Sequence, residues 1–448
     1  MNSSIEVLDR SVTQTSGTRS SEPYVPLSPT VLSDAAERIG TRLCRDAIWH
    51  KNHCNWIGPS MEFINSRWQV VDKSMGSDIY AGTAGVALFL TELHRYRPQT
   101  PVQRTAEAAM NQAIANTQSM NSSVKSGYHC GLLGLADVAY RMAECFESNH
   151  WHDQYQILID ELLTLGPDPE GVDVIMGSAG SIPALIILYQ RTAHQALLDL
   201  AIQHADQLVD LATSQSVGCS WDTLNTGNQH PHLTGYAHGA AGASLALAEL
   251  YAATGVEAYG DTARAGFAYE NSHFDNCQNN WPDFRNLESI GIDKHQSVCA
   301  VAWCHGAAGI GMSRLRAQHL LNDDRLRKDA QTAVATTLQQ LNQYLQAPGF
   351  DFSYCHGVAG DAELLLLADQ YLGGQQRHAQ VCEMLNWAIH TYEAKELEWP
   401  SGIPEAGESP SLFLGTAGIG HFMLRTAMPD EVDSVLLPGL RHDIRRVT

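Results

Sequence analysis

The chain has 448 residues, of which 44% are hydrophobic and 17% charged, and its 49 acidic against 28 basic residues give a formal net charge of −21. This charge argues against a nucleic-acid-binding protein, because phosphate contacts need a basic face. The composition supplies enough apolar residues for a large buried core, and no run of residues approaches the roughly 20 apolar positions of a membrane span.

The N-terminal segment differs in composition from the rest of the chain. Residues 1–31 are rich in Ser, Thr and Pro and have few large apolar side chains, so we expect them to be disordered or loosely ordered. We expect residues 32–448 to form one domain. The first residues show no basic stretch followed by an apolar one, which argues against a secretory signal and predicts a cytoplasmic protein. Ten cysteines are too few for a disulfide scaffold in a chain of this length.

An internal repeat dominates the remainder of the sequence. A Gly-x-x-Gly tetrapeptide, followed directly by an apolar stretch, recurs seven times at intervals of 46 to 67 residues. The seven tetrapeptides are Gly82–Gly85, Gly131–Gly134, Gly177–Gly180, Gly239–Gly242, Gly306–Gly309, Gly357–Gly360 and Gly415–Gly418. Each interval has room for two helices and two loops, whereas strand patterns are scarce.

Two kinds of helix are predicted to alternate. The stretches that follow the tetrapeptides, such as Val86–Leu93 and Ala243–Tyr251, are apolar nearly all round, which is typical of helices buried between neighbours. The stretches between them, such as Gln195–Ser214 and Asp324–Leu345, carry a regular polar face and are expected to lie outside. A solenoid would leave one face of each inner helix wet, so we predict a closed ring. The expected fold is all-α, an α/α toroid of seven inner and seven outer helices, with each repeat running from inner to outer.

Three consecutive repeats carry reactive side chains directly before the tetrapeptide. Histidine stands there as His238, His305 and His356, and a cysteine precedes the last two as Cys304 and Cys355. Equivalent positions in neighbouring repeats lie at the same height on the rim, and packed helix axes are about 8–10 Å apart, so these side chains can reach one ion. Two thiolates and one imidazole suit Zn²⁺ with an open fourth position. We therefore choose Cys304, Cys355 and His356 as zinc ligands, with His305 beside the ion as a candidate acid/base group.

One further pair is a weaker candidate for metal binding. His129 and Cys130 precede the second tetrapeptide in the reverse order. The other cysteines follow no usable pattern and are expected to be packing or surface residues.

These motifs resemble the lanthionine synthetase C-like cyclase family. The resemblance covers about residues 50–440 and rests on Asp173–Gly177, Ala237–Gly239, Trp303–Gly306 and Cys355–Gly357. The sequence is more similar to the cyclase half of bifunctional class II lanthipeptide synthetases than to stand-alone nisin-type cyclases, on the strength of Asn55–Gly58, Asp78–Gly82, Asn280–Arg285 and His305. Because only about 50 residues precede the cyclase region, we expect no attached dehydratase half.

The resemblance implies an α/α toroid with zinc held by Cys304, Cys355 and His356. It implies an enzyme that adds peptide cysteine thiols to dehydroalanine or dehydrobutyrine to form thioether rings, with His238 and Asp173 in the acid/base role. The expected partners are a dehydrated precursor peptide, as substrate, and a separate dehydratase.

The sequence departs from the nisin-type pattern beside the first ligand. Those members have an arginine four residues before that cysteine and a tyrosine directly after it, where this chain has Ala300 and His305. Arg285 is a candidate substitute for the arginine. The acid/base groups that support the reaction therefore differ from the nisin-type set.

The expected mechanism begins with the substrate cysteine, which takes the open zinc position as a thiolate and attacks Cβ of the dehydro residue. The resulting enolate needs a proton at Cα, for which His238 is the candidate acid and Asp173 the group that orients it. Structural interpretations stay open: His238 as a satisfied rim histidine, Asp173 as a helix N-cap, and His305 as a bystander.

Two other functions use the same residues. One is the addition of glutathione to proteins that contain dehydroamino acids, and the other is a non-catalytic zinc-bearing scaffold that presents a precursor peptide to a separate dehydratase. A glycosidase ranks last, because it needs paired carboxylates across the cavity and Asp173 has no evident partner.

Overall fold

The computed structural model describes residues 28–65, 67–225, 227, 231–285, 298–344 and 350–438. Of the predicted N-terminal segment, residues 1–27 lie outside this described part, and the first helix begins at Pro29. No helix within these ranges is long and apolar enough to cross a membrane.

The described residues form fourteen α-helices and three short antiparallel hairpins. The inner helices are α2 (Thr83–Tyr96), α4 (Leu132–Phe146), α6 (Ser178–Thr192), α8 (Ala240–Thr254), α10 (Ala307–Leu321), α12 (Val358–Leu372) and α14 (Thr416–Ala427). The outer helices are α1 (Pro29–Asp46), α3 (Thr100–Ala115), α5 (Asn149–Leu165), α7 (Gln195–Leu211), α9 (Glu257–Ser272), α11 (Asp324–Tyr344) and α13 (Gln376–Tyr392). The hairpins pair β1 (Ile48–His50) with β2 (His53–Asn55), β3 (Ile57–Ile64) with β4 (Arg67–Ser74), and β5 (Thr213–Ser214) with β6 (Cys219–Ser220).

Burial follows the predicted division between inner and outer helices. Every residue of α2 from Thr83 to Leu93 is buried, as expected of a helix surrounded by neighbours. In α7 the buried residues instead recur at helical spacing and form one stripe. Each inner helix packs against the next, and α14 packs against α2, so the ring closes. The predicted toroid of seven inner and seven outer helices is confirmed.

The order of the last helix pair differs from the predicted one. Six repeats run from inner to outer helix, but the outer partner of α14 is α1, which precedes all the inner helices in the chain. Helix α1 buries Leu32, Ala36, Ile39 and Leu43 in one stripe, and this stripe supplies the apolar cover that α14 needs. Closure therefore joins the two ends of the repeat region.

The second glycine of each tetrapeptide is required by close packing at the start of its helix. In all seven repeats, a Cβ at this glycine would overlap the carbonyl oxygen of the residue six positions earlier, as in the approach of Gly309 to Trp303 and of Gly360 to Tyr354. The loop thus folds back across the first helical turn. This brings the residues just before each tetrapeptide to the rim.

Backbone hydrogen bonds link these rim loops to one another. The amide of Cys304 donates to the carbonyl of Cys355 at 3.2 Å, and that of Cys355 donates to Phe413 at 3.1 Å. Phe413 donates to Tyr80 at 3.0 Å and Tyr80 to His129 at 3.1 Å. On the other side of the ring, Val174 donates to Ala237 at 2.9 Å and Ala237 to Cys304 at 3.1 Å.

A side chain bridges the remaining step of this ring. Nδ1 of His129 lies 2.9 Å from the carbonyl oxygen of Val174, and since a carbonyl only accepts, Nδ1 must carry the hydrogen. Burial lowers the pKa of His129 to about 4, so the imidazole is neutral. The seven loops therefore form a closed ring of hydrogen bonds, and His129 is part of the structure of the rim.

Ion pairs lie between inner helices further along their length, where the sequence predicted apolar packing. Arg316 contacts Glu249 at 2.7 Å, and Arg425 contacts Glu363 at 3.0 Å, with all four side chains buried. Inner helices α8, α10, α12 and α14 thus carry paired charges within their length, and α12 also buries Asp361 in its first turn.

Candidate metal centre

Three side chains from adjacent rim loops converge in the way that the sequence predicted. The ligand atoms of Cys304, Cys355 and His356 all lie within 4.8 Å of one another. Cys304 and Cys355 occupy the same position in consecutive repeats, two residues before the glycine, and the hydrogen bond between their backbones holds them side by side. This cluster could hold a metal ion.

The orientation of His356 suits metal binding. Its Nε2 lies 2.7 Å from the carbonyl oxygen of Gly402, so Nε2 carries the hydrogen and Nδ1 is left for an ion. Ligating histidines commonly donate their second N–H to such an acceptor, which fixes the tautomer. Two thiols and one imidazole are the donor set that zinc prefers, so the residues present fit this metal.

The protonation of the cluster shows how closely its members interact. The hydrogen bond between the thiols lowers the pKa of Cys355 and raises the pKa of Cys304. Burial lowers the pKa of His356, but its hydrogen bond and charge interaction with Cys304 raise it to about 9 overall. The three side chains therefore interact directly at the place where a cation would be bound.

Next to the cluster, the structure brings His238 and Asp173 together. Nδ1 of His238 donates to Oδ2 of Asp173 at 2.6 Å, and the side chain of His238 is 31% exposed. The other oxygen of Asp173 accepts from the amide of Met176 at 2.7 Å. Asp173 is therefore not the N-cap of α6, which is Gly177. One of its oxygens stabilises the turn before the helix, and the other accepts from the imidazole of His238.

His305 lies between the pair and the cluster but is enclosed. Its ring centroid is 5.7 Å from that of His238, and its side chain is buried. Among the described residues neither ring nitrogen has a hydrogen-bond partner, and the nearest charge is Oδ1 of Asp283, 3.9 Å from Nδ1. Burial lowers the pKa of His305 to about 3, so this imidazole is neutral.

Arg285 also lies near the site. At the position where nisin-type members have an arginine, this chain has Ala300. Nε of Arg285 donates to Oδ2 of Asp283 at 2.9 Å, which anchors the half-exposed guanidinium. Burial lowers the pKa of Arg285, but hydrogen bonding to Asp283 and the charges of Asp283, Cys304 and Cys355 raise it overall. A permanent positive charge therefore lies near the two thiols.

Tyr80 is a member of the site that the sequence analysis missed. Its ring stacks on that of Phe413, with centroids 4.8 Å apart, and its hydrogen bond to the thiol is among the causes that lower the pKa of Cys355. Its position in the repeat could have indicated this. Tyr80 stands two residues before Gly82, just as Cys304 and Cys355 stand two residues before the first glycines of their own tetrapeptides.

The weaker candidate pair is not part of the metal cluster. In the described part of the chain one group of three or more His, Cys, Asp or Glu side chains has ligand geometry, and it contains neither His129 nor Cys130. His129 bridges the rim loops instead.

A cavity of about 540 Å³ opens beside the cluster. His356 and Tyr80 are among the residues that line it. Other lining residues come from the β3–β4 hairpin, through Pro59 and Met61, and from the loop that contains Ile403. The cavity therefore reaches one of the three candidate ligands, His356.

Comparisons with known proteins give a matching family, a relative in sequence and a similar solved structure. The sequence model of the family described as lanthionine synthetase C-like protein matches residues 73–437. The lacticin 481/lactococcin biosynthesis protein LcnDR2 of Lactococcus lactis subsp. lactis is 22% identical over 410 residues, which make up 86% of this chain and 40% of that protein. The chain therefore spans less than half the length of this relative.

Among solved structures, nisin cyclase has a similar fold. It superposes with a TM-score of 0.61 at 19% identity, covering 82% of this chain and 92% of that chain. The likeness extends over nearly the whole toroid.

Proposed function

Because this chain belongs to the lanthionine synthetase C-like family, we propose that it is a zinc-dependent lanthipeptide cyclase. Its substrate would be a dehydrated precursor peptide, and its product would contain lanthionine or methyllanthionine thioether rings. The observation that carries the proposal is the convergence of Cys304, Cys355 and His356 within 4.8 Å, next to the His238–Asp173 pair.

Each group has a defined part in this chemistry. Zinc bound by the two cysteines and His356 would lower the pKa of a coordinating thiol and so present the peptide cysteine as a thiolate. Addition to the dehydro residue forms one C–S bond at Cβ and moves the electron pair of the double bond to Cα, which then needs a proton. Asp173 holds Nδ1 of His238, so Nε2 of the same ring is the nitrogen from which this proton would be transferred to Cα.

We assign this proton to His238 rather than to His305. His238 is partly exposed and its Nδ1 is held by Asp173, whereas His305 is buried and neutral, with a pKa of about 3. We propose that His305 fills the space between the acid and the ligands. Arg285, anchored on Asp283, is placed to stabilise the negative charge that develops on the peptide carbonyl.

The alternatives receive less support. A scaffold has no use for an imidazole held by a carboxylate beside the candidate ligands, and the comparisons do not favour glutathione addition. A dehydratase must act before this reaction and is the proposed partner. We place both in the cytoplasm, where ligand thiols stay reduced.

Reconstitution tests the proposal. The zinc-loaded chain is incubated with a peptide that contains one cysteine and one dehydroalanine, and free thiols are then alkylated. Ring closure leaves the mass of the peptide unchanged but removes the alkylation adduct, so mass spectrometry distinguishes product from substrate. We expect the adduct to disappear with the wild-type chain and to persist with Cys304→Ala. A wild-type chain that binds zinc but leaves the adduct intact would favour the scaffold.

A further inference from the structure

The β3–β4 hairpin presents an apolar face to solvent. Alternate residues of a strand share a face, and the pairing sets Phe63 opposite Trp68 and Met61 opposite Val70. Together with Ile57 these side chains make one apolar surface, and each of them is exposed, up to 63% for Trp68. We call these five residues the hairpin face.

Both faces of this hairpin are partly exposed, and they differ in polarity. The opposite face carries the ion pair between Lys73 and Glu62 beside the apolar residues Ile64 and Val71, and Gly58 on that face packs closely against Pro410 of the toroid. A two-stranded hairpin normally turns its apolar side toward the protein. Contiguous exposed apolar residues of this kind mark a binding surface.

This surface is continuous with the candidate active site. Met61 belongs to the hairpin face and also lines the cavity that Tyr80 and His356 line. A peptide whose cysteine enters this cavity therefore has the hairpin face beside it.

The edges of the hairpin are also available. In the described part of the chain, β3 and β4 pair only with each other, and no backbone hydrogen bond joins either strand to a third segment. Unpaired N–H and C=O groups at a strand edge can receive an extended peptide as an added strand, with alternate side chains on the apolar face.

We propose that the β3–β4 hairpin is a docking surface for an extended, apolar segment of the precursor peptide. The segment adds along a hairpin edge, packs alternate side chains on the hairpin face and holds the peptide while its cysteine enters the cavity. This assignment rests on the proposed cyclase function for the identity of the peptide.

Binding and turnover are measured separately to test the assignment. The long probe is a fluorescein-labelled synthetic peptide of about 20 residues, with apolar residues at alternate positions followed by one dehydroalanine and one cysteine. The short probe contains only the ring-forming residues and is too short to extend from the cavity to Phe63 and Trp68. The test variant is Phe63→Ser combined with Trp68→Ser, and the control is Ile157→Ser, which removes an apolar side chain of similar exposure from outer helix α5.

We expect the double variant to weaken binding of the long probe, measured by fluorescence anisotropy, at least about tenfold. It should cyclise the short probe at the wild-type rate, and Ile157→Ser should change neither value. Only every second N–H of an added strand faces the hairpin. Methylation of the backbone nitrogens at alternate positions of the long probe should therefore weaken binding for one set of alternate positions and not for the other set.

Other outcomes separate the two proposals. Equal affinity of the wild-type chain and the double variant for the long probe would overturn the docking surface, even if both cyclise the short probe. A wild-type dimer that the double variant converts to monomer in sedimentation would overturn it too, because the hairpin face would then bind a second copy of the chain. Hairpin-dependent binding without cyclisation of either probe would support the docking surface and reject the cyclase.

Discussion

Replacement of Asp173 by asparagine tests whether the aspartate acts through His238. Asparagine can still accept from the amide of Met176 through its oxygen, so the turn before α6 is kept. Its NH₂ group, however, cannot accept the Nδ1 hydrogen of His238, which Asp173 accepts at 2.6 Å. A hydrogen bond to a charged group contributes about 1.5–3 kcal/mol, which predicts thioether formation about 10- to 150-fold slower in Asp173→Asn.

His238→Asn should be slower still, by about 10²- to 10⁴-fold, because the proposed general acid itself is lost. The informative variant combines both changes. If Asp173 serves only to hold the imidazole, its replacement costs nothing further once His238 is absent, so the double variant should match His238→Asn. Single-turnover rates by alkylation and mass spectrometry measure this, with zinc content and urea unfolding as controls.

Additive losses in the double variant would refute this reasoning. They would mean that Asp173 contacts the substrate itself or maintains the rim loop independently of His238. Wild-type rates in His238→Asn, with zinc retained, would transfer proton delivery to His305 or to solvent.

Three further outcomes follow from the same structure. Cys304→Ala should lose zinc, as measured by elemental analysis, yet keep its helical circular dichroism, because the toroid core does not depend on the ion; undiminished zinc would contradict the ligand assignment. His129→Ala should lower the free energy of unfolding by about 2–4 kcal/mol in urea titrations, because it leaves a cavity and an unpaired Val174 carbonyl. An unchanged urea midpoint would show that the hydrogen bond from His129 does not stabilise the ring of rim loops. Burial lowers the pKa of His204 to about 4 in the folded chain, whereas a histidine in the unfolded chain has an ordinary pKa of about 6.5. Below about pH 6.5 the unfolded chain therefore binds a proton that the folded chain does not bind. The free energy of unfolding should fall from about pH 6.5 toward pH 4, and His204→Gln should flatten that fall.

The sequence was most informative where the repeat fixes the position of a residue. Cys304 and Cys355 stand at the same place before successive glycines, so their proximity followed from the register alone. The same register held Tyr80, but a tyrosine gives no metal-binding signal by itself. Only the contact with Cys355 shows that it belongs to the site.

Pairings between distant segments could not be predicted in this way. The ion pairs of Glu249 with Arg316 and of Glu363 with Arg425 join residues 67 and 62 positions apart, and each partner in isolation is one charge in an apolar stretch. The covering of α14 by α1 is likewise a consequence of ring closure, which brings together elements from the two ends of the repeat region. The exposed hairpin face was not predicted. Alternation of apolar residues along a strand indicates that one face is apolar, but it does not indicate whether that face points to the protein or to solvent.

The ring of rim hydrogen bonds explains why the site can be shaped before any ion arrives. The backbone groups of Cys304 and Cys355 are already engaged with neighbouring loops, and the imidazole of His356 is held by Gly402. In a small zinc finger, metal binding drives folding, and part of the binding free energy is used to order the chain. Here the loops are ordered by the toroid, so little ordering remains for the ion to drive. The three candidate ligands and His238 therefore keep fixed relative positions, as the proposed proton delivery to Cα requires.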